Sequence, residues 1–297
     1  MAEFSPKELG NLPPEAMGGF DPQKFGALPP AAMKGFKPEQ FEVLPPSVFE
    51  AMEPEQFGKL PPAAFGGFQP DQLKKLPVDL IGEFSPKEFG NLPPEAMGGF
   101  SPKQFVALPP NVMGEFSPDF LAELPSKLMN NMDRIQFDNL PPKAFEGFQK
   151  DQLKKLPKDL LTGMAPKAFG SMNPDAFGGF SPGKFNDLPN KLVKQIDADQ
   201  LGELPPKTLV KMQDDLISEL PAKAFGGMTE KQAKKLKPAV VEDFSGKQIG
   251  NLPTPAIAAL PLSSRGAISE LLTPIQLDGL EALQGQGDGE NIGGPVI

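Results

Sequence analysis

The sequence predicts an all-α solenoid of one-turn helices, with one helix in each eight-residue repeat. Blocks of eight run from Phe4 to Leu260 as 33 octads, without insertion or deletion. The first position of every octad is Phe, Leu, Met or Ile, and the sixth position is apolar until Arg265. Each octad also carries residues that begin a helix. Self-similarity of this kind is the mark of a repeat architecture in which each unit contacts its neighbours.

The octad FSPKEFGN at 84–91 illustrates how each helix begins and ends. Ser85 can act as N-cap, Pro86 suits the first helical position, and Glu88 completes a capping box. Phe84 precedes the cap and Phe89 follows one turn later, which are the two positions joined by a hydrophobic staple. We expect Gly90 and the proline-rich start of the next octad to end the helix after little more than one turn, because Gly favours the left-handed conformation and proline pushes the residue before it out of the α region.

A helix of one turn is not stable alone, because nucleating a helix costs more than one turn returns. The stapled apolar pair must therefore be buried against neighbouring octads, and stacked coils of a solenoid achieve this. A β-solenoid fits less well, since proline at the third position removes ladder donors at regular intervals. The apolar first and sixth positions are spaced by five and then three residues, which also does not match the two-residue alternation of a strand.

Octads of two types alternate, which predicts a sixteen-residue structural unit. One type begins with Phe or Met followed by Ser, Asp or Gln before proline, and the other begins with Leu and a proline pair. The fifth position is usually polar in the first type, as at Gln40 and Glu88, and apolar in the second, as at Ala96. We expect the Leu-first octads to pack inward and the first type to keep a wetter face, which would curve the rod. A longer period of ten octads starts at 4, 84, 164 and 244 and indicates block duplication.

Four segments follow from this register. Residues 1–3 are interpreted as a leader added in cloning, on a fragment of a longer protein, and residues 4–260 as the solenoid. After Leu260 the pattern fails, and LTPIQLDGL at 272–280 restarts it four residues out of frame, so 261–283 is predicted to be a terminal cap. Residues 284–297 are rich in Gly and polar, which predicts a flexible tail or linker. Asp288 and Glu290 in this tail form one imperfect copy of a calcium-binding Gly/Asp repeat, and the linker interpretation is the better one.

Composition excludes several classes of function. The chain has no His, Cys, Trp or Tyr, so thiolate nucleophiles, His-based triads, imidazole metal sites and disulfides are absent. We therefore predict that the protein is not an enzyme and has no cofactor or metal site. A net charge of −9 disfavours nucleic acid or an anionic bilayer as the main partner. No apolar run approaches the length of a membrane span, so no membrane insertion is expected.

The octad resembles the tandem octapeptide repeats of long secreted bacterial surface proteins and adhesins. The matching segments are LTPIQLDGL at 272–280, FSPKQFVAL at 100–108 and FKPEQFEVL at 36–44, and the resemblance covers residues 4–280. It implies a stalk or filament segment of a surface protein, and hence an extracellular or cell-surface location. This chain is richer in Pro, Gly and Phe and poorer in Thr than that pattern, and no functional residues carry over.

Two functional hypotheses remain open. The first is a structural spacer, an extended rod in a bacterial surface or extracellular assembly, with end-to-end self-association possible if the apolar column is uncapped near Phe4. The alternative is a binding module whose partner is a carbohydrate or a protein. Its candidate binding residues are three lysine pairs that recur once in each ten-octad block: Lys74 and Lys75, Lys154 and Lys155, and Lys234 and Lys235. The same lysines also fit a purely structural role near helix C-termini, favoured by the helix dipole and copied by duplication.

Overall fold

The computed structural model describes residues 4–287, with side chains described for residues 4–283. Every regular element in this range is an α-helix or a 3₁₀-helix, and no strand occurs in it. The octads follow one another as short helices joined by corners, which confirms the all-α solenoid. The chain divides into two compact units, Met1–Leu160 and Leu161–Ile297, and each is described by itself below.

Helices of four to six residues make up both units, apart from a three-residue 3₁₀ turn and a longer helix near the C-terminus. The α-helices that begin in the first unit are Pro6–Gly10, Pro14–Met17, Pro22–Gly26, Pro38–Glu42, Pro54–Phe57, Pro70–Lys75, Val78–Ile81, Pro86–Phe89, Pro102–Ala107, Pro118–Glu123, Arg134–Asp138, Lys150–Lys155 and Lys158–Thr162. The 3₁₀-helices of the first unit are Pro30–Gly35, Pro46–Ala51, Pro62–Gly67, Pro94–Gly99, Pro110–Glu115, Ser126–Asn131 and Pro142–Gly147.

The second unit continues the same pattern. Its α-helices are Pro166–Gly170, Pro182–Asn186, Asn190–Val193, Ala198–Glu203, Pro206–Val210, Asp214–Glu219, Glu230–Ala233, Pro238–Val241, Gly246–Ile249, Thr254–Ala259, Leu262–Ala267 and Pro274–Gly287. Its 3₁₀-helices are Pro174–Gly179, Ala222–Gly227 and Ser269–Leu271. The last helix runs to Gly287, four residues into the segment predicted to be a linker, and residues 288–297 lie outside the described range.

The two octad types differ in helix geometry, which confirms the sixteen-residue unit. Within residues 4–260, every 3₁₀-helix falls in the second type of octad, the type that usually begins with Leu. The first type forms α-helices instead, as in Pro102–Ala107, which is followed by the 3₁₀-helix Pro110–Glu115. Most octads that begin with a proline pair form the tighter turn, although Pro14–Met17 and Pro206–Val210 follow such pairs and are α-helical.

Capping follows the sequence prediction at the start of the helix and in part at its end. Ser85 accepts from the backbone N–H of Glu88, and the Glu88 carboxylate accepts from the backbone N–H of Ser85 at 2.8 Å, which completes the capping box. The Phe84 and Phe89 rings meet edge to face, 6.1 Å apart, as a staple requires. The expected left-handed conformation of Gly90 is wrong, because its φ is −65° and no described glycine has a positive φ. The expected effect of proline is confirmed, since Leu76 ends its helix in an extended conformation before Pro77.

Each coil of the solenoid is three octads long. In the first unit the helix Pro38–Glu42 packs against Pro62–Gly67, three octads later, and in the second unit Ala198–Glu203 packs against Ala222–Gly227 at the same spacing. Because the two octad types alternate, a coil of three octads stacks each α-helix of the first type on a helix of the second type. Stacking in this register buries the first and sixth positions, so that the apolar columns of the sequence become the core.

Glycine at the eighth position allows adjacent coils to touch. A Cβ on Gly99 would overlap the carbonyl oxygen of Pro70, which begins a helix in the preceding coil, and would lie 2.9 Å from its carbonyl carbon. An equivalent clash with the first residue of a helix in the preceding coil would arise at Gly35, Gly67, Gly147 and Gly227. These glycines are required because two backbones approach closely, and not because of any unusual φ.

Replacing Gly99 by Ala should therefore destabilise the protein by about 1–3 kcal/mol, because the coils must separate or the backbone must shift. Gly98 is the matched control, since a Cβ there has nothing within 4 Å. Gly98→Ala should be neutral or stabilise by about 0.5 kcal/mol through the unfolded chain. Thermal or denaturant melts of both variants measure the difference, and equal effects would show that close coil contact does not depend on Gly99.

Candidate functional surfaces

Glutamine at the fifth position of the first octad type joins the helix that carries it to the preceding coil. In Gln104, Oε1 accepts from the N-cap backbone N–H of Ser101 at 2.9 Å, while Nε2 donates to the carbonyls of Leu73 and Leu76, both at 2.8 Å. We call these residues the glutamine ladder. Its members are Gln40, Gln56, Gln72, Gln104, Gln136 and Gln152 in the first unit and Gln200, Gln232, Gln248 and Gln276 in the second.

The ladder overturns the expectation of a wetter face at this position. Gln40 is only 1% exposed and Gln56 only 2%, so these polar side chains are part of the buried interface between coils. They can be buried because both ends of the amide have partners. Thr208 and Ser264 fill the same role with a hydroxyl, which donates to a carbonyl of the preceding coil, that of Phe180 and that of Leu236 respectively.

The out-of-frame segment near the C-terminus rejoins the ladder. Gln276 accepts from the backbone N–H of Thr273 and donates to the carbonyls of Ile249 and Leu252, at separations of 27 and 24 residues. For Gln248 the corresponding separations are 31 and 28 residues. The last coil is thus shorter by four residues, and the frame shift in the sequence is what keeps the hydrogen bonds in place.

Charged residues occupy the ladder position in the first coil. Glu8 and Lys24 are exposed there. The N–H and then the hydroxyl of Ser5 hold the pKa of Glu8 below its ordinary value. The backbone N–H of Lys24 does the same for the pKa of Asp21.

In the octad 260–267, the basic side chain next to the ladder residue Ser264 also bonds backbone carbonyls. The Arg265 guanidinium donates to the carbonyls of Ala258 and Leu260, which lie in the octad before it and at the start of its own. These partners are local, so Arg265 closes a corner within its own coil and does not continue the stacking contact of the ladder.

The predicted lysine pairs are exposed and partly neutralised. Lys75 forms an ion pair with Glu50 in the preceding coil at 2.7 Å. Lys154 pairs with Asp151 at 2.8 Å, and Lys234 with Glu230 at 3.6 Å. The Lys154 ammonium also holds the pKa of Asp151 below its ordinary value, chiefly by hydrogen bonding. The remaining three lysines of the pairs are exposed as well: Lys74, Lys155 and Lys235.

The first two lysine pairs share a unit, but they do not fall in one column. Helices three octads apart stack on one another, as Pro38–Glu42 and Pro62–Gly67 do. Lys74 and Lys154 are ten octads apart, which is not a multiple of three. The structure therefore does not bring these pairs together on one strip of surface.

Concave features occur in both units. An apolar cavity of about 10 Å³ lies in the second unit between Met212, Phe225 and Phe244, and this is about the smallest volume that can hold one water molecule. A shallow groove of about 470 Å³ in the first unit is lined by Gly26, Leu28, Pro30, Glu53, Pro54, Glu55 and Gln56. No group of three or more acidic residues within 4–283 is placed to hold a metal ion. The calcium-like sequence around Asp288 lies outside the described residues.

None of the helices in the described part of the chain combines the length and the apolar character that a bilayer crossing needs. In comparisons with known proteins, no family model and no curated protein matches the chain.

Glu88 is the natural test of the ladder, because it is a carboxylate at a ladder position. It caps its own helix as the glutamines do, but it has no N–H to offer to carbonyls of the preceding coil. Glu88→Gln should therefore stabilise the protein by about 0.5–1.5 kcal/mol. The reverse change Gln72→Glu should destabilise it by about 2–4 kcal/mol, since a carboxylate would be buried beside the Phe41 and Leu44 carbonyl oxygens.

Urea melts at neutral pH measure both changes. The charge-neutral control is Gln72→Met, which removes the amide but buries no charge and should cost less than Gln72→Glu. A destabilising Glu88→Gln would contradict the proposed role of the side-chain amide.

Proposed function

We propose that this protein is a structural spacer, an extended-rod segment of a bacterial surface or extracellular assembly. The observation that carries the proposal is the glutamine ladder, which ties ten helices of the two units to the coil before each of them by the same contact. This contact recurs along both units, sets the distance between coils and leaves the surface free to vary. The resemblance to octapeptide repeats of bacterial surface proteins supports the same role and the extracellular location.

The repeated residues of the octad support this proposal because they serve coil stacking. The first and sixth positions form the core, the ladder glutamines bond carbonyls of the preceding coil, and the eighth-position glycines admit close contact. The residues that differ between octads are mainly those on the surface. A spacer needs such an arrangement, since its function depends on length and stiffness and not on a particular surface.

Block insertion tests the spacer function directly. A second copy of residues 84–163 placed after residue 163 preserves the register of eight and adds a little over three coils. With coils stacked about 9 Å apart, the radius of gyration should rise by about 8 Å. For a compact body, the same insertion would raise the radius of gyration by only about 2 Å. Small-angle scattering separates the two results.

Deletion of the same block is the matched control, and it should lower the radius of gyration by a similar amount. Circular dichroism and thermal melts establish that both variants fold. If insertion and deletion each changed the radius of gyration by only about 2 Å, as expected for a compact body, the result would contradict the spacer function.

The binding-module alternative is tested at its candidate residues. Two observations favour the spacer over this alternative. One lysine of each pair already forms an ion pair within the protein, namely Lys75, Lys154 and Lys234. The first two lysine pairs also do not lie in one column of the solenoid. If the lysines are binding residues, replacing all six by Gln should reduce binding to an anionic glycan such as heparin at least tenfold. We expect no such difference, and calorimetry on both proteins measures it.

A further inference from the structure

Exposed large apolar side chains are concentrated at the C-terminal end of the second unit. Between residues 4 and 260 the strongly exposed ones are Val43, Val78, Val106 and Ile135. Leu262 is 82% exposed and Ile275 is 81% exposed, more than any of those four. We give the name C-terminal apolar surface to the exposed aliphatic residues Leu262, Leu271, Ile275 and Leu283 of this short segment, and leave out Leu277, which lies on another side of the last helix.

The last helix, Pro274–Gly287, is held in place while part of its apolar side stays uncovered. Gln276 anchors it through the ladder, and Gly279 approaches the helix Thr254–Ala259 so closely that a Cβ would lie 2.9 Å from the Thr254 side chain. Ile275 and Leu283 are four residues before and after Gly279, so they lie on the same side of the helix. Both are exposed.

The surroundings of this surface are acidic. Glu270, Asp278 and Glu281 are exposed between its apolar residues. Arg265 is the only basic residue after Lys247, and its guanidinium is engaged with backbone carbonyls. An apolar surface with acidic neighbours complements a segment that presents apolar and basic side chains together.

We propose that the C-terminal apolar surface docks a basic amphipathic helix of a partner protein. The aliphatic residues would cover the apolar face of that helix, and Glu270, Asp278 and Glu281 would face its Lys or Arg residues. This is the helix-in-groove mode of recognition, in which apolar anchors give affinity and charges give orientation. The proposal is independent of the spacer function, since it concerns one end of the chain.

A second copy of this chain is a less suitable occupant. Two C-terminal ends would bring their acidic residues together. The N-terminal coil of another copy has Glu8 and Lys24 at its ladder positions, so it has no glutamine to continue the ladder. An anionic membrane surface would be repelled by the same acidic residues.

A synthetic amphipathic helix tests the proposal. The probe is a fluorescein-labelled 18-residue peptide of Leu and Lys with helical periodicity, and its partner probe has Glu in place of Lys. We expect micromolar binding of the Leu/Lys peptide by fluorescence anisotropy, a loss of at least tenfold between about 50 mM and 500 mM salt, and no binding of the Leu/Glu peptide. Charge reversal by Asp278→Lys with Glu281→Lys should exchange the preference between the two peptides.

A matched pair of triple variants locates the binding. Leu262→Ser, Ile275→Ser and Leu283→Ser together should weaken binding at least tenfold. Val78→Ser, Val106→Ser and Ile135→Ser remove similar exposed side chains from the first unit and should change affinity less than twofold. Equal losses in both triple variants, or no Leu/Lys binding at 100 µM, would overturn the proposal. So would a wild-type dimer in sedimentation that the first triple variant dissociates, because a second copy would then be the occupant.

Discussion

The bifurcated use of a glutamine side chain is the interaction on which the solenoid depends. One end of the Gln104 amide caps the helix that carries it, and the other end bonds carbonyls of the coil before. Neither glutamate, which has no N–H, nor a shorter amide could serve both partners. Local helix initiation and long-range stacking are therefore coupled in one residue, which stabilises one-turn helices such as Pro54–Phe57 despite the cost of nucleation.

Close contact between coils is the second constraint, and it follows from the first. For Gln72 to reach Phe41 and Leu44, the backbones must approach, and glycine at positions such as Gly67 permits this. The apolar columns then fill the interior, with phenylalanine rings such as Phe41 and Phe68 meeting 5.3 Å apart. Ladder, glycine and aromatic core thus describe one interface repeated along each unit, which is the basis of the proposed spacer function.

The first and last coils of the described chain differ from the coils between them. Glu8 and Lys24 occupy the ladder position in the first coil, while the coil that carries Gln276 is shorter by four residues. Stacking does not explain the exposed aliphatic residues of the last coil, such as Leu262 and Ile275. The proposed docking of a basic amphipathic helix would use these residues.

The sequence alone determined the repeat of eight, the one-turn helices, the capping boxes, the staples and the core columns, because each depends on neighbours close along the chain. The sequence also located the lysine pairs and the frame shift. It did not show that the lysines form ion pairs or that the frame shift keeps the hydrogen bonds of Gln276 in place. Burial of Gln40 and the need for Gly99 were decided by the tertiary structure, since both depend on carbonyls that belong to the preceding coil. The number of octads in a coil, which no local pattern encodes, brings those groups together.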